Sequence, residues 1–407
     1  MTSPPLGRNF RLLWSAAVSS RLGDALRTPA LALLAAAVTR DPRIIAAVTV
    51  AGQLPPLLFG LLGGVYADRW DRRRTMALVD GVRATVVAAL AVAVALDRVG
   101  VVVLLLAAFL LAALGTLFDS ASFALLPALV PPDALPRANG RLQAGSAVAG
   151  GFLGAPAAGV LFAVAPALPF ALDAVTFATA ALLVLALAPV PVVSANARRG
   201  SVWSEIAEGV RWLRGHRALW RVTVLAAACN LAISGIMAVL VLYALDVLRV
   251  PPAGYGLFAA AAIVGGVAGA LGAGRLAARF GTLPALRVVL AAQTVALTGF
   301  ALARDPVPGG LALAVFAAGT VVWNSLCASY GQRHVPAGLL GRVGAAQRMV
   351  GLLTAPVGAV LAGLAAAAYG TVPVAGAAAG TFALVTLAAW RTLRPAAPGV
   401  LSPSGAA

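Results

Sequence analysis

The sequence contains no lysine, two cysteines, two histidines and 13 acidic residues among 407. Each shortage closes off a class of protein. Cys229 and Cys327 both lie inside apolar runs, so neither a disulfide framework nor a metal site is indicated. No apolar run joins His to carboxylates at metal-ligand spacing, and no Ser-His-Asp arrangement or lysine-bearing phosphate loop occurs. His216 and His334 fall in polar connections and read as surface residues rather than catalysts. An enzyme is therefore disfavoured, no cofactor is implied, and any transport would run on an ion or substrate gradient rather than on ATP. Charge is scarce as well: 11% of residues are charged and 61% hydrophobic, with a mean hydropathy of +0.96. A soluble domain carries about 25% charged residues, and no soluble fold hides this much apolar surface.

What the chain has in quantity is arginine and long apolar runs. The formal charge of +17 comes from 30 basic residues, all Arg, most of them in short connections between apolar stretches. That pattern fits a lipid bilayer and not nucleic acid. A helix crossing the roughly 30 Å hydrocarbon core needs about 20 apolar residues, and these runs are too long for barrel strands. Punctuation by Pro, Gly and Arg places spans near 12–37, 44–66, 76–96, 101–126, 140–163, 167–190, 221–247, 254–278, 285–303, 309–332, 340–368 and 372–392. The expectation is an all-α membrane protein of about twelve helices. Its first hydrophobic stretch is too long for a cleaved signal and reads as an uncleaved span.

Arginine also sets the orientation. Arg8, Arg11, Arg69, Arg72, Arg73, Arg74, Arg137, Arg141, the cluster from Arg198 to Arg221, Arg275, Arg279, Arg333, Arg342, Arg391 and Arg394 fall on one set of loops, whereas the alternate loops hold Arg40, Arg43, Arg98, Arg249 and Arg304. By the positive-inside rule both termini are cytoplasmic, which makes the chain multi-pass in a bacterial inner membrane. The longest polar segment separates an N-terminal six-helix bundle, 1–190, from a C-terminal one, 221–394. The linker at 191–220 contains an amphipathic helix in which Trp203, Ile206, Val210 and Leu213 recur at helical spacing, expected on the inner leaflet. Residues 395–407 are expected to be a disordered tail.

The two halves echo one another. Gly64-Val-Tyr-Ala-Asp68-Arg69-Trp70-Asp71-Arg72-Arg73 follows the second span, and Gly274-Arg-Leu-Ala-Ala-Arg279-Phe280-Gly281 follows the eighth. Together with Asn9-Phe-Arg-Leu-Leu-Trp14, Gly23-Asp24, Leu125-Leu-Pro127, Arg137-Ala-Asn139, Tyr255-Gly256-Leu257 and Gly341-Arg342, these motifs resemble the major facilitator superfamily, and within it the branch of enterobactin exporters and macrolide-efflux proteins. The resemblance runs nearly end to end. It implies two pseudo-symmetric six-helix bundles, alternating access, and a gating motif of Gly64, Asp68, Arg69, Arg72 and Arg73 in which Asp68 caps the eleventh helix. In the fifth span, Gly150, Gly154, Pro156 and Gly159 look like the antiporter motif, although Ala155 separates Gly154 from the proline. The embedded Arg of many proton-coupled exporters is missing from the fourth span.

Charges inside spans are costly and point to function. Arg21, Asp24 and Arg27 stand three residues apart on one side of the first helix, expected to face a cavity. Two opposed effects act on Asp24, since the apolar medium disfavours its charge while the two Arg favour it. Asp24 is therefore the first candidate for proton coupling, with Asp119 and Asp173 as alternatives. Asp80 and Arg83 read as a local pair. Gln53, Asn230, Gln293, Asn324, Gln347 and Arg348 are candidates for lining the cavity or for bonding between helices. Pro29, Pro55, Pro56, Pro156 and Pro356 bend spans, as hinges or as fixed kinks. The functional expectation is a monomeric exporter of a small amphipathic compound such as a drug, natural product or siderophore, with protons and the lipid bilayer as further partners. A non-transporting receptor or scaffold and an importer are the alternatives.

Overall fold

The computed structural model describes residues 6–67, 71–131, 134–188 and 202–393. Helices dominate: α1 Gly7–Val38, α2 Pro42–Ala67, α3 Arg72–Ala95, α4 Val101–Leu129, α5 Leu135–Ala147, α6 Ala155–Val164, α7 Leu168–Leu185, α8 Val202–Gly215, α9 Arg217–Leu242, α10 Pro252–Phe280, α11 Thr282–Leu302, α12 Pro306–His334, α13 Leu340–Tyr369 and α14 Thr371–Thr392. Among the described residues eleven helical stretches are long and apolar enough to cross a membrane. The twelfth span is α1, 32 residues long, set apart from the others by Arg21, Asp24 and Arg27. The fifth span is a rod of α5, a π-helical turn Val148–Gly154, and α6. Pro156 explains that turn: it has no N–H for the carbonyl four residues back, and the wider winding accommodates the lost bond.

The helices run past the apolar runs because their ends are specified locally. Asp71 starts α3, its carboxylate accepting from the backbone N–H of Arg73 at 3.0 Å and of Arg74 at 3.2 Å. Gly281 and Gly370, at φ +76° and +85°, make the tight junctions α10–α11 and α13–α14, where a side chain would be strained.

Pairings in the first half recur in the second. α1 packs on α6 and α7 as α9 packs on α13 and α14; α2 on α4 as α10 on α12; and α3 on α4 and α7 as α11 on α12 and α14. The result is two pseudo-symmetric six-helix bundles. Apolar lipid offers little drive for helices to associate, so close packing must supply it. Gly265 and Gly269 of α10 do so by lying on the backbone of Ala314 and Ala318 of α12, where a Cβ would collide.

The halves meet across α2–α13 and α6–α10. Gly363 abuts Ala46 and the Pro42 carbonyl, Gly159 abuts the carbonyls of Pro252 and Ala253, and Gly256 abuts the Ala155 carbonyl. These contacts lie toward the Arg-poor end of the bundles, where Arg40 also bridges to Asp246 at 2.9 Å. In the linker, α8 docks on the protein itself: Ile206 and Leu213 are buried, Gly209 sits on the Arg342 backbone, and Glu208 pairs with Arg342 at 2.7 Å. The apolar stripe expected to lie on the leaflet thus covers α13. Trp203 carries no described side chain, and 191–201 and the tail at 395–407 lie outside the described residues.

Candidate functional site

The first half holds a buried charge network across three helices. Asp24 of α1 receives a guanidinium N–H from Arg27 at 2.5 Å and another from Arg83 of α3 at 2.5 Å. Arg83 also donates to Asp80 at 3.2 Å and Ser20 at 3.1 Å, and lies over the Phe177 ring at 3.8 Å. Arg27 reaches Asp173 of α7 at 3.2 Å. Asp80 and Asp173 are 0% exposed and Arg83 1%. Close approach of α1 to α7 is possible because residue 23 is glycine; a Cβ there would strike Asp173 and Thr176. Three carboxylates face two guanidiniums. One oxygen of Asp80 and both of Asp173 accept no hydrogen bond among the described residues.

Arg21 departs from the expected one-sided group. It turns away from Asp24 to bond Asp119 of α4 at 2.7 Å, with the two side chains 47% and 54% exposed. Positions 21 and 24 are 300° apart around a helix, or 60° off in line, so neighbours on adjacent helices decide which partner each takes. Asp24 faces the interior of α1, α3 and α7 while Arg27 also lines a cavity, and the Asp80–Arg83 pair is part of their network rather than merely local. Sequence spacing marked that pair, but not the reach from Arg83 to Asp24.

Asp68 and Arg69 lie outside the described residues, Gly64 is in the last turns of α2, and Arg72 opens α3. Arg73 donates to the carbonyls of Val184 at 3.3 Å and of Leu185, capping α7 within its own bundle. Arg221 does the same for α14, donating to the Thr392 carbonyl at 2.9 Å. In the fifth span a Cβ on Gly150 would meet no neighbouring helix, Gly154 packs on Ala25, Pro156 opens α6, and Gly159 packs on α10 of the other half.

Two cavities accompany these groups. One, about 550 Å³, opens in the second half and gathers Asn230, Gln293, Asn324, Gln347 and Arg348 with Thr223, Thr320, Trp323, Cys327 and Phe382. It thus unites five of the six polar candidates. Gln53 stands apart, its carbonyl oxygen buried and without a partner among the described residues. The other, about 500 Å³, lies between the halves and is lined by Arg27, Thr28, Thr49 and Tyr255 among apolar side chains of α1, α2, α4, α9 and α10. Trp323, Cys327 and the two threonines were missed in the sequence because nothing but their spacing from Asn324 and Gln293 marks them. His216 and His334 stand 6.1 Å apart between the rings of Trp212 and Tyr330. Among the described residues no group of three or more His, Cys, Asp and Glu is placed to hold a metal.

Solved structures with the same fold are transporters. The chain superposes on a variant of the nucleoside transporter NupG with a TM-score of 0.78 and 13% identity, covering 94% of this chain and 100% of that one. It superposes on a bacterial homologue of the iron transporter ferroportin, inward-facing, at 0.76 and 15%, covering 95% and 99%. A bacterial homologue of the lysosomal transporter Spinster, inward-facing and occupied, gives 0.75 and 14%, covering 96% and 100%. No curated protein is similar to it in sequence. The family model described as Major Facilitator Superfamily matches residues 13–359. With two pseudo-symmetric six-helix bundles and that match over most of its length, this multi-pass membrane protein belongs to the Major Facilitator Superfamily, a superfamily of transporters.

Proposed function

We propose that the protein exports a small amphipathic compound across the cytoplasmic membrane by alternating access, in exchange for protons, with both termini on the cytoplasmic side. The observation that carries the coupling is the charge count of the buried network: Asp24, Asp80 and Asp173 against Arg27 and Arg83. Full ionisation would leave one uncompensated negative charge in an apolar interior, a costly state that a single bound proton removes. Asp24 is gripped by two guanidiniums, whereas Asp80 and Asp173 keep oxygens without donors, so these two are the hosts of the proton. Arg27 lines the cavity between the halves and so connects the network to the path of a substrate. Asp119 is already balanced by Arg21 and has no such excess. The domain division at 191–220, the monomeric state and the Arg-based orientation belong to the same reading. Export and an amphipathic substrate are supported by the exporter-like motifs and by cavity walls that mix aliphatic, aromatic and amide groups.

The test is proteoliposome flux of a panel of amphipathic dyes under an imposed pH gradient. Uphill dye movement against the proton gradient is the expected result for wild type. Asp24→Asn, Asp80→Asn and Asp173→Asn should each remove the excess acid and abolish uphill movement while downhill exchange persists, and Asp119→Asn should retain it. Accumulation in the direction of the proton gradient would establish import, and binding without flux would establish a scaffold. A reporter fused to the C-terminus and found outside the cell would overturn the orientation.

A further inference from the structure

We infer that the cavity of the second half is a binding site for a monoanionic, aromatic-bodied compound, whose carboxylate is held by Arg348. This rests on the transporter reading only in naming that compound as the cargo. After Glu208 the sequence contains two acids, Asp246 and Asp305, and neither lines the cavity. A site for an organic cation would be expected to carry a carboxylate. This one has an arginine instead: Arg348 is exposed on the cavity wall and makes no hydrogen bond or ion pair among the described residues. It lies eight residues into α13, roughly 12 Å along the helix axis, where an unpaired charge needs a reason. A guanidinium offers a planar fork that matches a carboxylate with two parallel bonds.

The rest of the wall fits the body of such a molecule. Trp323, 7% exposed, borders the cavity, and Phe382, fully buried against Phe316, backs its wall. Asn230 donates its amide to the Gly351 carbonyl at 2.7 Å and to Thr354 at 3.0 Å, Gln293 to Thr320 at 3.0 Å, and Gln347 to Thr223 at 3.0 Å. Their NH₂ groups are thus engaged with the protein. Their carbonyl oxygens accept nothing among the described residues, which leaves acceptors for hydroxyl or amine hydrogens on the ligand. About 550 Å³ is room for a compound of drug size. The buried network of the first half shows the opposite balance, three carboxylates against two guanidiniums.

The experiment is equilibrium binding to the detergent-solubilised full chain, without any gradient, read from tryptophan fluorescence with Trp323→Phe as the control for location. The probes are 2-naphthoate, its neutral isostere 2-naphthamide and the cation 2-naphthylmethylammonium. Naphthoate should bind about 10- to 100-fold more tightly than naphthamide, the range of one charge-assisted contact. Arg348→Gln should erase that preference, with naphthamide still binding saturably to show the pocket intact, and Arg348→Lys should keep part of it. Equal affinities, a preference for the cation, no saturable binding by any probe, or an anion preference surviving Arg348→Gln would each overturn the assignment. Anion preference without pH-driven flux would leave this site standing and defeat the exporter reading; pH-driven flux of cations without anion preference would do the reverse.

Discussion

Removing Arg83 should destabilise the protein far more than removing the acid it contacts. Arg83→Gln withdraws the partner of Asp80, which is fully buried, and one of two partners of Asp24, and leaves three carboxylates facing Arg27 alone. Deleting one member of a buried pair costs about 3–5 kcal/mol, because the remaining charge stays buried and uncompensated. Asp80→Asn instead reduces the acids to two against two guanidiniums, and Arg83 keeps Asp24, Ser20 and the Phe177 ring. Its expected cost is about 1 kcal/mol or less, the scale of one replaced hydrogen bond. The double variant restores an excess of a single acid, so it should recover part of the loss, with a coupling energy of about 1–3 kcal/mol. Reversible unfolding from mixed micelles by sodium dodecyl sulfate, followed by tryptophan fluorescence, measures all three against wild type. Equal costs for Arg83→Gln and Asp80→Asn, or strict additivity in the double variant, would refute the charge accounting on which the coupling proposal stands.

Arg73→Ala should cost about 1 kcal/mol in the same assay, because the carbonyls of Val184 and Leu185 lose their cap; Arg74→Ala, a largely exposed side chain, should stay within about 0.5 kcal/mol, and equal effects would deny Arg73 its capping role. Arg40→Ala breaks an exposed pair between the halves and should change stability by less than about 1 kcal/mol; a larger loss would make Arg40–Asp246 a structural tie. Gly154→Val places a Cβ 2.5 Å from that of Ala25, beside Asp24, so α1 and the π-helical turn of the fifth span must separate. Normal membrane insertion with impaired pH-driven transport is the expected outcome, and wild-type transport by this variant would show that the contact plays no part in coupling.

The spans were legible because a membrane leaves one solution: apolar runs of this length must be helical. Their ends were less so. α9 begins at Arg217 and α12 continues to His334, since a helix need not stop where the hydrocarbon does. The cost of burying amides made Asn230, Gln293, Asn324, Gln347 and Arg348 readable as a set, and four helices, α9, α11, α12 and α13, bring them to one wall. Gln53 obeyed the same logic and went elsewhere, because periodicity does not fix helix rotation. The contact from Arg83 to Asp24 joins positions 59 residues apart, and no spacing rule anticipates it. Lipid and α13 are equally apolar partners for Ile206 and Leu213, so the sequence could not say which of them α8 would cover.

A proton in one half can bias a ligand in the other only if both favour the same arrangement of the halves. The fifth span has the placement to join them. Its Gly154 lies against Ala25, one residue from Asp24, and its Gly159, five residues on, lies against the Pro252 and Ala253 carbonyls of α10. The π-helical turn ends between the network and that seam, at Gly154, where the helix is wound most loosely. Glycine backbones at both contacts leave no side chain to absorb a displacement, so a shift of α1 is met by the rod itself. Asp24 is also where Arg27 and Arg83 converge, and a change in the proton count of Asp80 or Asp173 changes how strongly each guanidinium is drawn to α3 or α7. Under the proposed mechanism the network therefore acts on α1 first and on the contact between the halves second, and a substrate bound by α9, α12 and α13 meets it through α10, which packs against both α6 and α12.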